Sequence, residues 1–293
     1  MTFAALPTVP TASYGVLQRT NNGCSDLASA VEDVRTLGYA VLDAGYSAAE
    51  LIALSVAFDG ARSRYAQTYG ASVLEAADEH NSVRLLLAWD DAFLRLALNE
   101  HLIAAVSHLI AGKFILNQQN GIVNPSRQTY NQGAWHRDLP YQHFISSTPL
   151  AINALFCIDD FTRENGATFV LPASHKSSAF PSEDFVQRHA LQVEAKAGQF
   201  ILLDCMLFHT GGYNASNRAR RAVNHVFNIP YFKQQIRIPG NVDASGLREK
   251  ARDVLGFDCQ EAVTVADYLA SRAPNQNGDS NMVVTSKTEM ANG

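Results

Sequence analysis

From residue 113 to about residue 232 the chain reads as a succession of short β-rich runs, and this texture limits the fold more than anything else in it. The runs are 114–123, 128–136, 150–158, 167–171, 192–196, 200–208 and 220–231. Turn signals separate them, among them Glu164-Asn165-Gly166, Ala197-Gly198 and Gly211-Gly212. Strands at this spacing point to a sandwich or jelly roll rather than a βαβ sheet.

Helical patterns flank the β region. A helix is predicted over 27–36, stopped by Gly38, and a strand over 39–43. Ser47 followed by Glu50 is a capping-box pattern. It opens a helix to Tyr65 whose inner face carries Leu51, Leu54, Ala57, Phe58 and Ala61. A single helix is predicted over 91–110, with Leu94, Ala97, Leu98, Leu102, Ala105 and Leu109 as its stripe. Two more are expected at 247–255 and 262–271. The expected organisation is one domain over 1–272, mainly β with flanking helices and a jelly-roll core at about 113–232. Residues 273–293 are polar and Gly/Asn/Ser-rich, and are read as a disordered tail.

Composition excludes several classes. A formal net charge of −5 argues against a nucleic-acid binder, and Arg218, Arg220 and Arg221 form the only dense basic cluster. The four cysteines form no C-x-x-C pair, so a disulfide framework or zinc knuckle is not expected. No apolar run reaches the ~18 residues of a membrane helix, and the N-terminus has no secretory pattern. The expectation is a cytoplasmic protein acting on a small molecule, without nucleic-acid or membrane partners.

The chemistry is concentrated in Trp135-His136-Arg137-Asp138. In a strand, residues two apart share a face, so His136 and Asp138 would offer an imidazole nitrogen and a carboxylate oxygen to one point. The apolar run 200–208 ends in His209, a third ligand. Two histidines and a carboxylate form the facial triad of non-haem Fe(II) oxygenases, which leaves three positions for a bidentate 2-oxo acid and O₂. Such a co-substrate needs a grip on its distal carboxylate, best supplied by the planar fork of arginine. Arg220 stands eleven residues after His209, where the strand after the Gly-Gly turn would fold back beside the one carrying His209. Arg221 would face the other way in a regular strand, and Arg218 would lie in the turn. Gln132, sharing a face with His136 in an extended strand, is either a further contact to 2-oxoglutarate or an ordinary strand polar group. Asn153, alone among apolar neighbours, is either a substrate contact or a structural hydrogen bond.

Other signals lead nowhere. HRDL occurs in the protein-kinase catalytic loop, but His143 stands where its metal-binding asparagine belongs, with no GxGxxG, VAIK or DFG. Asp159-Asp160 reads as a turn element, His175 as a residue steadying the turn after Pro172, and Trp135 as packing.

The run WHRDLPYQHFISSTPLAINALFCIDDFTRENGATFVLPASHK, followed by FHTGGYNASNRARRA, resembles the phytanoyl-CoA dioxygenase family of Fe(II)/2-oxoglutarate oxygenases. The resemblance covers roughly 37–231 and includes the early GYAVLDAGYSAAELIAL pattern. It implies a double-stranded β-helix, iron at His136, Asp138 and His209, and 2-oxoglutarate held by Arg220. Asp138 stands where the related halogenases carry a small residue, so hydroxylation or another oxidative outcome is favoured over halogenation. The substrate is expected to be a free metabolite of a biosynthetic pathway, because the loop 137–149 and the segment 65–87, read as pocket walls, hold no basic patch for a CoA phosphate. Two rival readings stay open: a catalytically silent ligand-binding member of the fold, and a zinc or manganese enzyme of non-oxidative chemistry.

Overall fold

The computed structural model describes residues 25–139 and 144–272. Contacts divide the chain at Asp258. The unit before this point opens with α1 (Asp26–Leu37), β1 (Tyr39–Asp43), α2 (Ala48–Tyr69), α3 (Ala71–Ala76), β2 (Ser82–Val83), α4 (Asp91–Ala97) and α5 (Glu100–Leu109). It continues through β3 (Ile115–Asn124), β4 (Ala151–Cys157), β5 (Phe169–Val170), α6 (Glu183–His189), β6 (Leu191–Gln192), β7 (Gln199–Asp204), β8 (His209–Thr210), β9 (Arg220–Asn228) and α7 (Glu249–Val254). Beyond Asp258, the described residues hold α8 (Val265–Arg272), whose first turn is closed by Thr264 and Asp267 bonding reciprocally.

The strands form two antiparallel sheets, one in the order β1-β7-β4-β9-β3-β2 and one in the order β6-β5-β8. This is the expected jelly roll. Strand alternation sorts the side chains of the larger sheet. Phe156, Phe200, Leu202, Val223 and Phe227 join the core that includes the buried faces of α1, α2, α4 and α5. Cys157, Ile201, Leu203 and Ala222 point the other way and pack with Val170, Phe161 and Leu207. Both faces are therefore buried, which is why these strands read as nearly continuous apolar runs.

Local signals fix the helices. Ser47 and Glu50 form the complete capping box of α2, whose buried residues are Leu54, Phe58, Ala61 and Tyr65. Gly38 ends α1 at φ 89°, a conformation that side chains with a Cβ resist, and its N–H reaches the Asp33 and Val34 carbonyls. The helix expected over 91–110 is two. Asn99 interrupts it, its side-chain oxygen accepting from the Leu102 N–H as the cap of α5. Periodicity alone could not reveal this break, because the apolar stripe runs through it.

The strand expected over 192–196 shortens to Leu191–Gln192, and three further expected strands differ. The run 128–136 is a short 3₁₀ turn over Asn131–Gly133 and then extended chain that forms a single β-bridge, at His136. The run 200–208 ends at Asp204, where the side chain accepts from the Met206 N–H and turns the chain. His209 therefore begins β8, in the other sheet. The last run ends at Asn228 rather than Tyr231.

His225 lies on the helix-facing side of β9, fully buried. Its Nδ1–H donates to the Ala154 carbonyl at 3.0 Å, and Nε2 accepts from the Gln119 amide at 2.8 Å. Burial pushes its pKa down to about 4. An unfolded histidine titrates near ~6.5. Between these values the unfolded chain takes up a proton that the folded one refuses, so stability is full above pH ~6.5 and falls as the pH drops toward 4. The loss amounts to ~3 kcal/mol. Urea unfolding at pH 7 and pH 4.5 should show this, and His225→Gln should flatten the dependence. Parallel profiles for the two proteins would contradict it.

Candidate metal centre

His136 and His209 face each other across an isolated antiparallel bridge, exchanging both backbone hydrogen bonds at 3.0 and 3.1 Å. This bridge ties the 3₁₀ segment to β8 and sets the imidazoles side by side, with centroids 4.3 Å apart. Each ring is oriented by the carbonyl two residues before it. Nδ1 of His136 meets the Ala134 oxygen at 2.7 Å, and Nδ1 of His209 meets the Leu207 oxygen at 3.0 Å. The Nδ1 atoms thus carry the protons, and both Nε2 lone pairs are free to bind a metal.

Asp138 completes the cluster. Its backbone N–H donates to the Cys205 carbonyl at 3.1 Å, which holds the segment extended past the bridge. Oδ1 lies 3.8 Å from Nε2 of His136 and 3.7 Å from Nε2 of His209. All three ligand atoms lie within 4.8 Å of one another. Two atoms bonded at ~2 Å to one ion are at most ~4 Å apart; both Asp138–histidine separations meet this limit, and the three donors converge where a small divalent cation would sit. Burial keeps the His209 pKa below its ordinary value, so the ring stays in the neutral form that ligation requires. Side-chain exposure is 30% for His136 against 12% for Asp138 and 7% for His209, so the centre opens on the His136 side.

The structure brings Arg220 to the same cavity, though by another route than the sequence indicated. β9 does not pair with β8; it lies between β3 and β4 in the larger sheet. Arg220 reaches the cavity from the facing sheet, on the same side of β9 as Ala222 and Asn224. It is 3% exposed, and its guanidinium lies over the Phe161 ring at 3.8 Å. It donates to the Gly166 carbonyl and to the Tyr130 hydroxyl. Its Nε has no partner among the described residues. A buried cation with a spare donor beside a metal site suits the distal carboxylate of a keto acid. Arg221 faces away, as alternation required, and pairs with Asp159 at 2.7 Å and Asp59 at 2.8 Å. Arg218 is exposed in the turn.

Gln132 lines the cavity, but not for the reason anticipated. It sits in the 3₁₀ turn, and its carbonyl accepts from the Gly211 N–H at 2.9 Å. Asn153 donates from Nδ2 to Oδ2 of Asp138 at 2.7 Å. The cavity is also lined by Tyr130, Thr168 and Leu203, and by none of the residues of 65–87, part of which lines a separate groove with Asp59. Tyr141 and His143 fall outside the described residues. Phe144 is exposed.

Three residues near the site escaped the sequence reading. Tyr130 reaches Arg220 because Gly211 has no side chain, since a Cβ there would stand 2.0 Å from the Tyr130 hydroxyl. Arg137, the first residue of the loop 137–149 expected to wall the pocket, is 3% exposed and does not line the cavity. It stacks over Phe208 at 3.8 Å and donates to the carbonyls of Ser174, Ser177 and Ser178. The Cys205 thiol hydrogen-bonds the Asp138 carboxylate, and its pKa lies well above the ordinary value, chiefly through burial. Only Gly211 left a trace in the sequence, where it registered as a turn.

The remaining residues lie where a structural role places them. His175 is buried on the turn after Pro172, 3.3 Å from the Arg35 carbonyl. Asp160 accepts from the Ala197 N–H. Trp135 packs on Phe180 at 5.9 Å. Among the described residues no helix is long and apolar enough to cross a membrane.

A Mycobacterium tuberculosis protein, named only as uncharacterized, is 31% identical over 240 residues, covering 79% of this chain and 87% of its own. The Fe(II)/2-oxoglutarate-dependent dioxygenase nvfF of Aspergillus novofumigatus is 34% identical over 92 residues, 30% of each chain. EctD from S. alaskensis, solved with 2-oxoglutarate and 5-hydroxyectoine, shares the double-stranded β-helix fold at a TM-score of 0.61. Its identity is 23%, over 81% of this chain and 86% of its own. The model of the family described as phytanoyl-CoA dioxygenase matches residues 34–222, well over half the chain. The chain belongs to the phytanoyl-CoA dioxygenase family of Fe(II)- and 2-oxoglutarate-dependent dioxygenases.

Proposed function

We propose that this protein hydroxylates or otherwise oxidises a small organic metabolite of a biosynthetic pathway, binding Fe(II) through His136, Asp138 and His209. The observation that carries the reading is the convergence of three ligand atoms within 4.8 Å, in the same cavity as the buried Arg220. When bound, Fe(II) supplies the activation of O₂ that couples substrate oxidation to decarboxylation of 2-oxoglutarate, giving succinate and CO₂. The protein fixes the ligand atoms, keeps the His209 imidazole neutral, and shields the centre with Leu155, Leu203 and Ala222. Arg220, with the Tyr130 hydroxyl and Gln132 beside it, takes the distal carboxylate.

Charge balance supports both the co-substrate and the substrate class. Asp138 and Arg220 are the only formally charged side chains among the described residues lining the cavity. A divalent ion, one carboxylate and one guanidinium leave a net charge that a dicarboxylate neutralises. The remaining polar walls, Asn153, Thr168 and Asn224, are neutral. This favours an uncharged or weakly charged metabolite over a CoA ester, whose phosphates need cations.

Anaerobic addition of Fe(II) and 2-oxoglutarate should give a weak visible absorption. Admission of O₂ should then give succinate, faster with the right substrate. Absorption without O₂-dependent succinate under any candidate metabolite would favour the silent ligand-binding reading. Activity supported by zinc or manganese without O₂ would favour non-oxidative chemistry.

A further inference from the structure

We propose that Asn153 is a positioning residue for the metal centre, holding Asp138 so that it offers the ion one oxygen and not two. This rests on the reading of His136, Asp138 and His209 as metal ligands. The two oxygens of the Asp138 carboxylate have different partners. Oδ1 faces both Nε2 atoms, at 3.7 and 3.8 Å, and Oδ2 accepts from Asn153 Nδ2 at 2.7 Å. A carboxylate free to rotate can chelate through both oxygens and take an additional coordination position. With Oδ2 held by the amide, that position stays open for the co-substrates.

The placement of Asn153 argues for function over stability. It lies mid-strand in β4, between Leu203 of β7 and Val226 of β9, and is 2% exposed. Its strand neighbours Ile152 and Ala154 are fully buried. Its carbonyl oxygen Oδ1 has no partner among the described residues. Which end of the amide faces Asp138 is fixed by chemistry, since an ionised carboxylate only accepts and only the NH₂ can donate. The orphaned oxygen is thus the consequence of serving Asp138. A valine would fill this strand position with no unsatisfied atom, so the fold alone gives no reason for an amide here.

The test compares the wild-type apoprotein with Asn153→Val and Asn153→Ser, measuring Co(II) affinity, the visible Co(II) spectrum and the apo Tm. Val removes the donor and suits a strand, and Ser is smaller, with a hydroxyl too short to span the gap. Expected are a 10- to 100-fold loss of Co(II) affinity, the range for partners that orient metal ligands, a changed Co(II) spectrum in both variants, and an apo Tm for Asn153→Val at or above wild type. Affinity within twofold of wild type in either folded variant would overturn the proposal. Parallel loss of Tm and affinity in both would also overturn it, making Asn153 a structural residue. Failure of the wild type to bind one Co(II) per chain would instead bring down the metal-site reading itself.

Discussion

Asp138→Ala should abolish metal binding and 2-oxoglutarate turnover together while leaving the apoprotein folded. Asp138 is the one anionic ligand, and its Oδ1 is the atom equidistant from both imidazoles. Without it two neutral rings must hold a divalent ion alone. The loss should exceed the ~100-fold upper range for residues that merely orient ligands. The fold should tolerate the change, because the backbone bonds from His136 and Asp138 to His209 and Cys205 survive a side-chain truncation. Truncation also leaves the Asn153 amide and the Cys205 thiol without their acceptor, a cost of ~1–3 kcal/mol. Metal content per chain and succinate formation are the measurements. Normal succinate production by the variant would refute the assignment of Asp138.

Arg220→Ala should act on the co-substrate and not on the metal. Removing one partner of a buried charge pair costs ~2–5 kcal/mol, so the apparent 2-oxoglutarate requirement should rise at least ~30-fold. Fe(II) or Co(II) affinity without the keto acid should stay near wild type. Arg220→Lys should recover only part of the loss, because an ammonium lacks the planar fork. Arg221→Ala is the control on the adjacent residue. It breaks the pairs with Asp159 and Asp59 and should lower Tm without moving the 2-oxoglutarate requirement. An unchanged requirement in Arg220→Ala, with a raised one in Arg221→Ala, would exchange their roles.

The helices at either side of the first strand were legible because their signals are local. Ser47 and Glu50 sit three residues apart and cap each other, and Gly38 stops α1. The split of 91–110 was not legible, because Asn99 acts through one capping bond that leaves the apolar stripe intact. The His-x-Asp pair was found through a strand that does not exist. Extended backbone puts alternate side chains on one side whether or not it is paired along its length, so the inference survived the loss of the strand. Arg220 illustrates the converse, a residue that reaches the expected cavity although the pairing that led to it was wrong.

Sequence by itself determined the ligand types, their order, and the alternation that sends Arg220 inward and Arg221 outward, because these depend on residue chemistry and on a period of two along one strand. Tertiary structure alone decided that His136 and His209 meet across a bridge, that Arg220 arrives from the opposite sheet, and that Tyr130, Asn153 and Cys205 attend the site. Those contacts join residues tens of positions apart. They form only when two sheets close on each other, and no local propensity records which distant side chains that closure will bring within hydrogen-bonding distance.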